Sequence, residues 1–255
     1  MIQTAERVSD VDKSDNFVYR RSLLAYLEAE KLTSGKVLEV GSGMGYGMEI
    51  LSPKAEKYVM LDKFQFDLSK IKDPGKVKFL KTEVPPFKDI PDNEFDFIVS
   101  FQVIEHIKND KLFLQEMARV LKPGGKAILT TPNIKMSLSR NPWHIREYTV
   151  EGLEKLMKNY FSSVECKGVY GNEKAMEYYE KNKESVNRTM RFDIFKLQYR
   201  LPRWMLQIPY DIMNRRNRKK LLKQNNQLTN LLTTDDFFTD TAKENCLDLF
   251  YIGTK

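Results

Sequence analysis

The sequence predicts an α/β fold with a mostly parallel sheet sandwiched between helices. The first observation is a short apolar run at residues 37–40, typical of a strand buried on both faces. A glycine-rich turn and a helix-like segment follow it directly. The second observation is Asp62, which ends the next apolar run, 21 residues after the first glycine of the turn. A strand, a glycine loop and a helix, with an acid that can accept two hydrogen bonds from a ribose diol, are typical of nucleotide-binding sheets.

The glycine turn contains Gly41, Gly43, Gly45 and Gly47. Glycine adopts positive φ angles readily and has no Cβ, so a ligand can approach its backbone closely. The dinucleotide-binding form of this motif has glycines at its first, third and sixth positions. Here the sixth position is Tyr46 and the spacing is G-x-G-x-G, so the turn alone is a weak signal.

The other elements follow in chain order from apolar periodicity and from capping residues. The predicted strands are 37–40, 58–61, 77–80, 95–101, 127–131, 163–170 and 245–253. The predicted helices are an amphipathic one at 17–32, a short one between 47 and 53, a weak one at 64–71, one at 111–121 and one after Thr149, which is a good N-cap. Residues 1–15 are polar and are expected to be loose.

Four blocks of this sequence, in this order, resemble the class I S-adenosylmethionine (SAM)-dependent methyltransferases. The blocks are residues 36–47, 58–62, 95–107 and 118–129. The resemblance covers about residues 15–170 and the last ten. It implies a Rossmann-like sheet of seven strands, SAM as cofactor, and S-adenosyl-L-homocysteine as product.

Cofactor contacts are expected at the glycine loop and at the carboxyl ends of the neighbouring strands. Gln102 follows the fourth strand, at the edge where open α/β sheets bind their ligands. The resemblance implies an acidic or amide residue near the adenine amino group, and Glu83 is our choice for it. The expected cofactor-binding residues are Glu39, Gly41, Ser42, Gly43, Gly45, Tyr46, Asp62, Lys63, Glu83 and Gln102.

The chain has two histidines, His106 and His144, and both fall at the predicted carboxyl edge of the sheet. Methyl transfer to a hydroxyl needs a base that takes the hydroxyl proton. His144, in the loop after the fifth strand, is the preferred base or acceptor-orienting residue; alternatively, it holds the start of the next helix in place. His106 is expected to position the acceptor or to seal the pocket.

The acceptor is less well defined by the sequence. Arg146 and Glu147 are expected to hold a polar substrate or to pair with each other. No metal-ligand spacing is visible, so no metal is expected and a metal-dependent O-methyltransferase is disfavoured. The segments 141–149 and 161–168 resemble a bacterial subgroup associated with polysaccharide and glycolipid synthesis. The expected reaction is therefore O-methylation of a small-molecule, glycan or glycolipid acceptor; the alternatives are an RNA-directed methyltransferase and a SAM-binding protein without turnover.

About 70 residues separate the sixth and last predicted strands, where the plain fold has a short connection. We therefore expect a methyltransferase core at 1–170 and 244–255, with a helical, basic cap inserted at 171–243. The net charge of the chain is +7. Residues 188–223 hold eleven Lys or Arg and two acids, which gives this segment +9 and the rest of the chain −2.

Three interpretations of the basic segment stay open. Basic residues with interleaved aromatics can lie on an anionic membrane surface and reach a lipid-linked acceptor. They can bind nucleic acid, but no separate RNA-binding module is visible. The sequence 100–103 also lacks the Asn/Asp-Pro-Pro-aromatic motif of base and amide methylation. The third interpretation is a solvated cap whose aromatics face the core.

Composition places the chain among ordinary globular proteins. It has 255 residues, of which 41% are hydrophobic and 30% charged, and no apolar run approaches the roughly 20 residues that span a bilayer. The polar N-terminus lacks a signal-peptide core. Two cysteines without metal-like spacing favour a reducing compartment. The expected location is cytoplasmic, with peripheral contact at the inner face of a membrane as an option.

Overall fold

The computed structural model of the protein describes residues 11–193 and 195–255. Its strands are β1 (Gly35–Val40), β2 (Ala55–Asp62), β3 (Val77–Lys81), β4 (Phe95–Phe101), β5 (Leu121–Pro132), β6 (Ser163–Gly171), β7 (Phe237–Thr241) and β8 (Asp248–Thr254). Its helices are α1 (Asn16–Glu30), α2 (Tyr46–Leu51), α3 (Asp110–Val120), α4 (Val150–Met157), α5 (Glu173–Met190), α6 (Leu197–Arg200), α7 (Arg203–Gln224) and α8 (Asn226–Leu231).

The strands form one sheet in the order β3-β2-β1-β4-β5-β8-β6-β7. The first five strands of this order are parallel, and β8 runs antiparallel between β5 and β6. The predicted mostly parallel, Rossmann-like sheet is therefore confirmed. The strand order reverses between β1 and β4, and a crevice for a ligand opens beyond the carboxyl ends of strands at such a point.

Both faces of the sheet are covered. Side chains alternate along β1, so Val37 packs on one face while Leu38 and Val40 pack on the other, and all three are fully buried. Helices α1, α2 and α5 contribute to the first core, whereas α3 and α4 contribute to the second. This burial on two faces is the reason that the strands read as continuous apolar runs.

The segment between β6 and β8 is not helical throughout. Helices occupy it from Glu173 to Leu231, but Phe237–Thr241 forms β7, which pairs antiparallel with β6. Phe237 is buried and packs edge-on against Phe17 of α1, with ring centroids 5.3 Å apart. The sheet therefore has eight strands instead of the expected seven, because this apolar contact with α1 anchors an additional edge strand.

Two further expectations need correction. The helix predicted at 64–71 is only a 3-10 turn at Leu68–Lys70, because Leu68 stays exposed and the segment buries too little apolar surface to stabilise a helix. Residues 1–10 lie outside the described part of the chain, but residues 11–15 are ordered by contacts. Asp15 is fully buried, and its carboxylate accepts hydrogen bonds from Arg215 and Arg218 of α7 at 2.7 and 2.8 Å.

Helix α7 is the longest of the helices in the described part of the chain. Among the described residues, no helix combines the length and the apolar character that crossing a bilayer requires.

Candidate active site

The glycine loop leaves β1 and leads into α2 at the edge where the strand order reverses. Gly41 and Gly43 have φ angles of +83° and +52°. A Cβ on Gly41 would lie 2.3 Å from a methyl carbon of Val103, so the loop packs directly against the segment after β4. A Cβ on Gly43 would meet nothing within 4 Å. The backbone at Gly43 therefore borders open space that a ligand can enter.

Asp62 lies beside this open position, at the end of β2. Its Oδ2 accepts a hydrogen bond from the backbone N–H of Gly43 (2.8 Å), and its Oδ1 accepts one from the N–H of Phe64 (2.8 Å). The hydroxyl of Ser42 is buried and makes no hydrogen bond among the residues that the structure describes. A carboxylate next to an open glycine fits the ribose-binding edge of an adenosyl ligand.

Glu39 lies under the glycine loop and not in the open space. It is buried, and its two carboxylate oxygens accept hydrogen bonds from the hydroxyls of Tyr26 (2.9 Å) and Tyr58 (2.8 Å). A Cβ on Gly47 would lie 2.4 Å from Glu39 Oε1, so the carboxylate packs against α2. Burial raises the pKa of Glu39 to about 7, although the two tyrosine hydroxyls lower it and Asp62 raises it further.

The remaining expected cofactor residues surround the loop at different depths. The ring of Tyr46, at the start of α2, packs edge-on against Tyr19 of α1 with centroids 5.3 Å apart. Lys63 is exposed, with its ammonium 5.0 Å from the ring centre of Phe64. Gln102 has a φ of +56°, and its N–H donates to the carbonyl of Thr130 (3.0 Å). Their cofactor roles stay predictions.

Glu83 is exposed and follows the end of β3. The N–H of Thr82 donates to the carbonyl of Asp62 (2.9 Å), so Glu83 is one residue beyond the point where the two strand ends are joined. The structure therefore places Glu83 at the same edge of the sheet as Asp62. Its contact with adenine stays a prediction.

The two histidines, 38 positions apart in the sequence, lie next to each other. The rings of His106 and His144 are perpendicular, with centroids 4.9 Å apart. Glu105 is buried beside them, and its Oε2 accepts a hydrogen bond from Thr131 Oγ1 (2.9 Å). The N–H of Ile145 donates to the Glu105 carbonyl (2.7 Å), which fastens the loop after β5 to the end of β4.

His144 is oriented by two side chains from its own loop. Its Nδ1 lies 2.7 Å from Glu147 Oε1, and its Nε2 lies 2.8 Å from Asn141 Nδ2. The other oxygen of Glu147 accepts a hydrogen bond from Ser137. A carboxylate accepts only, so these partners assign the Nδ1–H tautomer, with the Nε2 lone pair facing the Asn141 amide. The His144 side chain is 9% exposed.

His106 and Arg146 have different partners. His106 Nδ1 lies 3.0 Å from the Trp143 carbonyl, so it donates there. Arg146 forms an ion pair with Asp110 and also donates to the carbonyl of Lys108 (2.9 Å). Of the two alternatives for Arg146 and Glu147, pairing with each other is therefore wrong: Arg146 pairs with Asp110, and the Glu147 carboxylate contacts His144 and Ser137.

The contacts of Glu105, Asn141 and Glu147 around the histidines were not predicted from the sequence. Two features of the sequence could have indicated these contacts: Glu105 directly precedes His106, and Glu147 lies three residues after His144. Donor atoms of Glu105, His106 and His144 all lie within 4.8 Å of one another. Sequence spacing did not reveal this possible ligand set for a cation, because the two histidines come from separate loops. The hydrogen bond of Asn141 to His144 Nε2 favours a neutral base over a metal ligand.

Comparison with known proteins gives a consistent picture. Residues 14–165 match the family described as a methyltransferase domain. A "probable S-adenosylmethionine-dependent methyltransferase" of Mycobacterium tuberculosis is 32% identical over 162 residues, which cover 60% of this chain and 58% of that protein. The mitochondrial ubiquinone biosynthesis O-methyltransferase of Dictyostelium discoideum is 31% identical over 112 residues, 38% of this chain and 35% of that protein.

The likeness extends to solved structures at low sequence identity. A SAM-dependent methyltransferase of Thermotoga maritima aligns with a TM-score of 0.55 and 17% identity, covering 94% of this chain and 92% of that one. At this identity the likeness concerns the fold. The matched region of the curated relatives is shorter: it spans 58% of the mycobacterial protein's length.

Proposed function

Because the chain belongs to the family of class I, Rossmann-like SAM-dependent methyltransferases, we propose that it transfers the methyl group of SAM to a hydroxyl of a small-molecule, glycan or glycolipid acceptor. The observation that carries the proposal is the pair of His144 and Glu147 at the acceptor side, with Nδ1 and Oε1 2.7 Å apart. A histidine whose second nitrogen is held by a carboxylate has a fixed orientation and a basic Nε2.

The cofactor half of the site consists of the glycine loop and Asp62. These residues would hold SAM, which, when bound, supplies an electrophilic methyl group and leaves as S-adenosyl-L-homocysteine. Val103 packs on Gly41. The segment 102–106, which contains Val103, ends at His106, whose ring lies against that of His144. The two halves of the site therefore adjoin, so the chain can hold an acceptor oxygen beside the methyl group and limit its motion.

His144 is the preferred base over His106. Its Nδ1–H points to a carboxylate, which stabilises the imidazolium that forms when Nε2 takes the acceptor proton. His106 Nδ1 instead lies 3.0 Å from the backbone carbonyl of Trp143. In this mechanism the Asn141 amide occupies the Nε2 lone pair until the acceptor hydroxyl replaces it. A relative that is named an O-methyltransferase supports the choice of oxygen as acceptor atom.

The test begins with the purified chain, methyl-labelled SAM and an extract of its source cells, separated into lipid, glycan, aqueous-metabolite, RNA and protein fractions. We expect label in a lipid, glycan or metabolite fraction. Label in an RNase-sensitive fraction would contradict the proposal, and so would SAM binding without any labelled product.

The base role is tested in the labelled fraction. His144→Gln should lower the transfer rate by about 10²- to 10⁴-fold, the usual contribution of a positioned base, with SAM affinity unchanged. His106→Gln should lower it less. A chelator should have no effect; if chelation abolishes transfer and added metal restores it, the cluster of Glu105, His106 and His144 is a metal site and His144 is not the base.

A further inference from the structure

Large apolar side chains remain exposed in the segment that precedes and begins α7. Phe192 is 84% exposed, Trp204 72% and Ile208 71%. Phe195 and Tyr199 nearby are also exposed. Single exposed apolar residues are ordinary, whereas exposed apolar residues that form a contiguous patch mark an interaction surface.

The exposed side chains of α7 form one row along the helix. Steps of three or four residues connect them, so they lie on the same side of the helix. The row, here called the docking face, consists of Trp204, Ile208, Ile212, Arg216, Lys219 and Lys223, all exposed. Its first half is apolar and its second half is cationic.

Side chains of α7 outside the docking face fix the helix to the core. Leu221 is buried, and Arg215 and Arg218 contact the buried carboxylate of Asp15. Asn217 is hydrogen-bonded to Asn182 and Ser185 of α5. The docking face is therefore held outward, and its own side chains cannot turn into the core without breaking these contacts.

We propose that the docking face binds the surface of an anionic phospholipid bilayer. This assignment rests on the two adjacent halves of the docking face. Burial of the apolar half at the boundary between headgroups and acyl chains is favourable, and the cationic half pairs with lipid phosphates and carboxylates. A nucleic acid fits less well, because only Trp204 of the three apolar side chains in the docking face offers a stacking ring, whereas Ile208 and Ile212 are aliphatic.

Helix α7, which carries the docking face, is connected to the loop that carries His144. Arg203 Nη2 donates to the carbonyl of Ile145 (2.5 Å), and Trp143 Nε1 donates to Asp211 of α7 (3.1 Å). Arg140 donates to the carbonyl of Gln198 (2.6 Å). Binding to a bilayer would thus bring the acceptor side of the site to the lipid headgroups. The further conclusion that the acceptor hydroxyl belongs to a lipid or lipid-linked glycan rests on the proposed function.

The test is cosedimentation of the full chain with vesicles of phosphatidylcholine, with and without phosphatidylserine, in the absence of SAM and acceptor. We expect binding to the anionic vesicles and at least about tenfold weaker binding to neutral ones or at high salt. The double variant Lys219→Gln/Lys223→Gln should weaken anionic binding by about 30-fold. Ile208→Ser/Ile212→Ser should weaken it at least about tenfold.

The matched control is Leu68→Ser/Lys70→Gln, which removes one exposed apolar and one exposed basic side chain outside the docking face and should bind as wild type does. Equal binding of wild type and both docking-face variants would overturn the proposal, as would no vesicle binding, or capture of RNA instead of vesicles. The vesicle assay measures no methyl transfer. Vesicle binding, together with no labelled product in the separate transfer assay, would therefore refute the proposed function and leave the docking-face proposal intact.

Discussion

Replacing Glu39 by glutamine tests whether a titratable carboxyl supports the glycine loop. In the folded protein, burial raises the pKa of Glu39 from 4.5 to about 7. The protonated form is therefore the one that the fold favours. Its stabilising contribution is complete below pH 4.5 and is lost as the pH rises to 7 and above, because the unfolded chain then ionises more readily than the folded one.

The magnitude follows from the size of the shift. Each pKa unit corresponds to about 1.4 kcal/mol, so the full loss is about 3.5 kcal/mol, of which about 2.5 kcal/mol falls between pH 5 and pH 8. Glutamine keeps the shape of the side chain and does not titrate. The free energy of unfolding of wild type minus that of Glu39→Gln should therefore fall by about 2.5 kcal/mol over this pH range.

Urea unfolding at a series of pH values measures this difference. Glu49→Gln, at an exposed position of α2, is the matched control and should give a difference that does not change with pH. Tyr58→Phe removes a hydrogen bond that lowers the pKa of Glu39, so in this variant the stabilising contribution of Glu39 to the free energy of unfolding should be lost at a higher pH. A wild-type minus Glu39→Gln difference that stays constant from pH 5 to pH 8 would refute the reasoning.

Two further predictions concern the cofactor edge and the cap. Asp62→Ala should weaken SAM binding by about 10- to 100-fold in a calorimetric titration, since hydrogen bonds to charged groups contribute about 1.5–3 kcal/mol; unchanged affinity would contradict the ribose assignment. Asp15→Ala removes the carboxylate that Arg215 and Arg218 of α7 contact, and breaking such a buried pair should lower the unfolding free energy by about 3 kcal/mol. A loss below about 1 kcal/mol, near the value of an exposed pair, would mean that the contact does not anchor α7.

The parts of the fold that depend on local sequence were predictable. The strand at Val37, the turn with Gly41 and the acid at Asp62 are separated by short, regular distances, and parallel sheets bring their ends to one edge. The N-cap of Thr149 is local as well: its hydroxyl accepts the N–H of Gly152 (3.1 Å). Each of these features is set by periodicity or by a single side chain.

The features that sequence reasoning missed depend on contacts between distant segments. Strand β7 exists because Phe237 packs on α1, more than 200 positions away in the sequence. Asp15 is buried because α7 brings two arginines to it. His106 and His144 were each placed at the correct edge, but their contact depends on the path of the loop after β5, which no periodicity encodes.

The most direct test of the proposed reaction is to locate the transferred methyl group in the labelled product by mass spectrometry. If the chain acts as proposed, the methyl group is on an oxygen that was a hydroxyl in the acceptor, and His144→Gln yields much less of the same product. A methyl group on nitrogen, sulfur or carbon, or the same amount of product from the variant, would contradict a hydroxyl acceptor activated by His144.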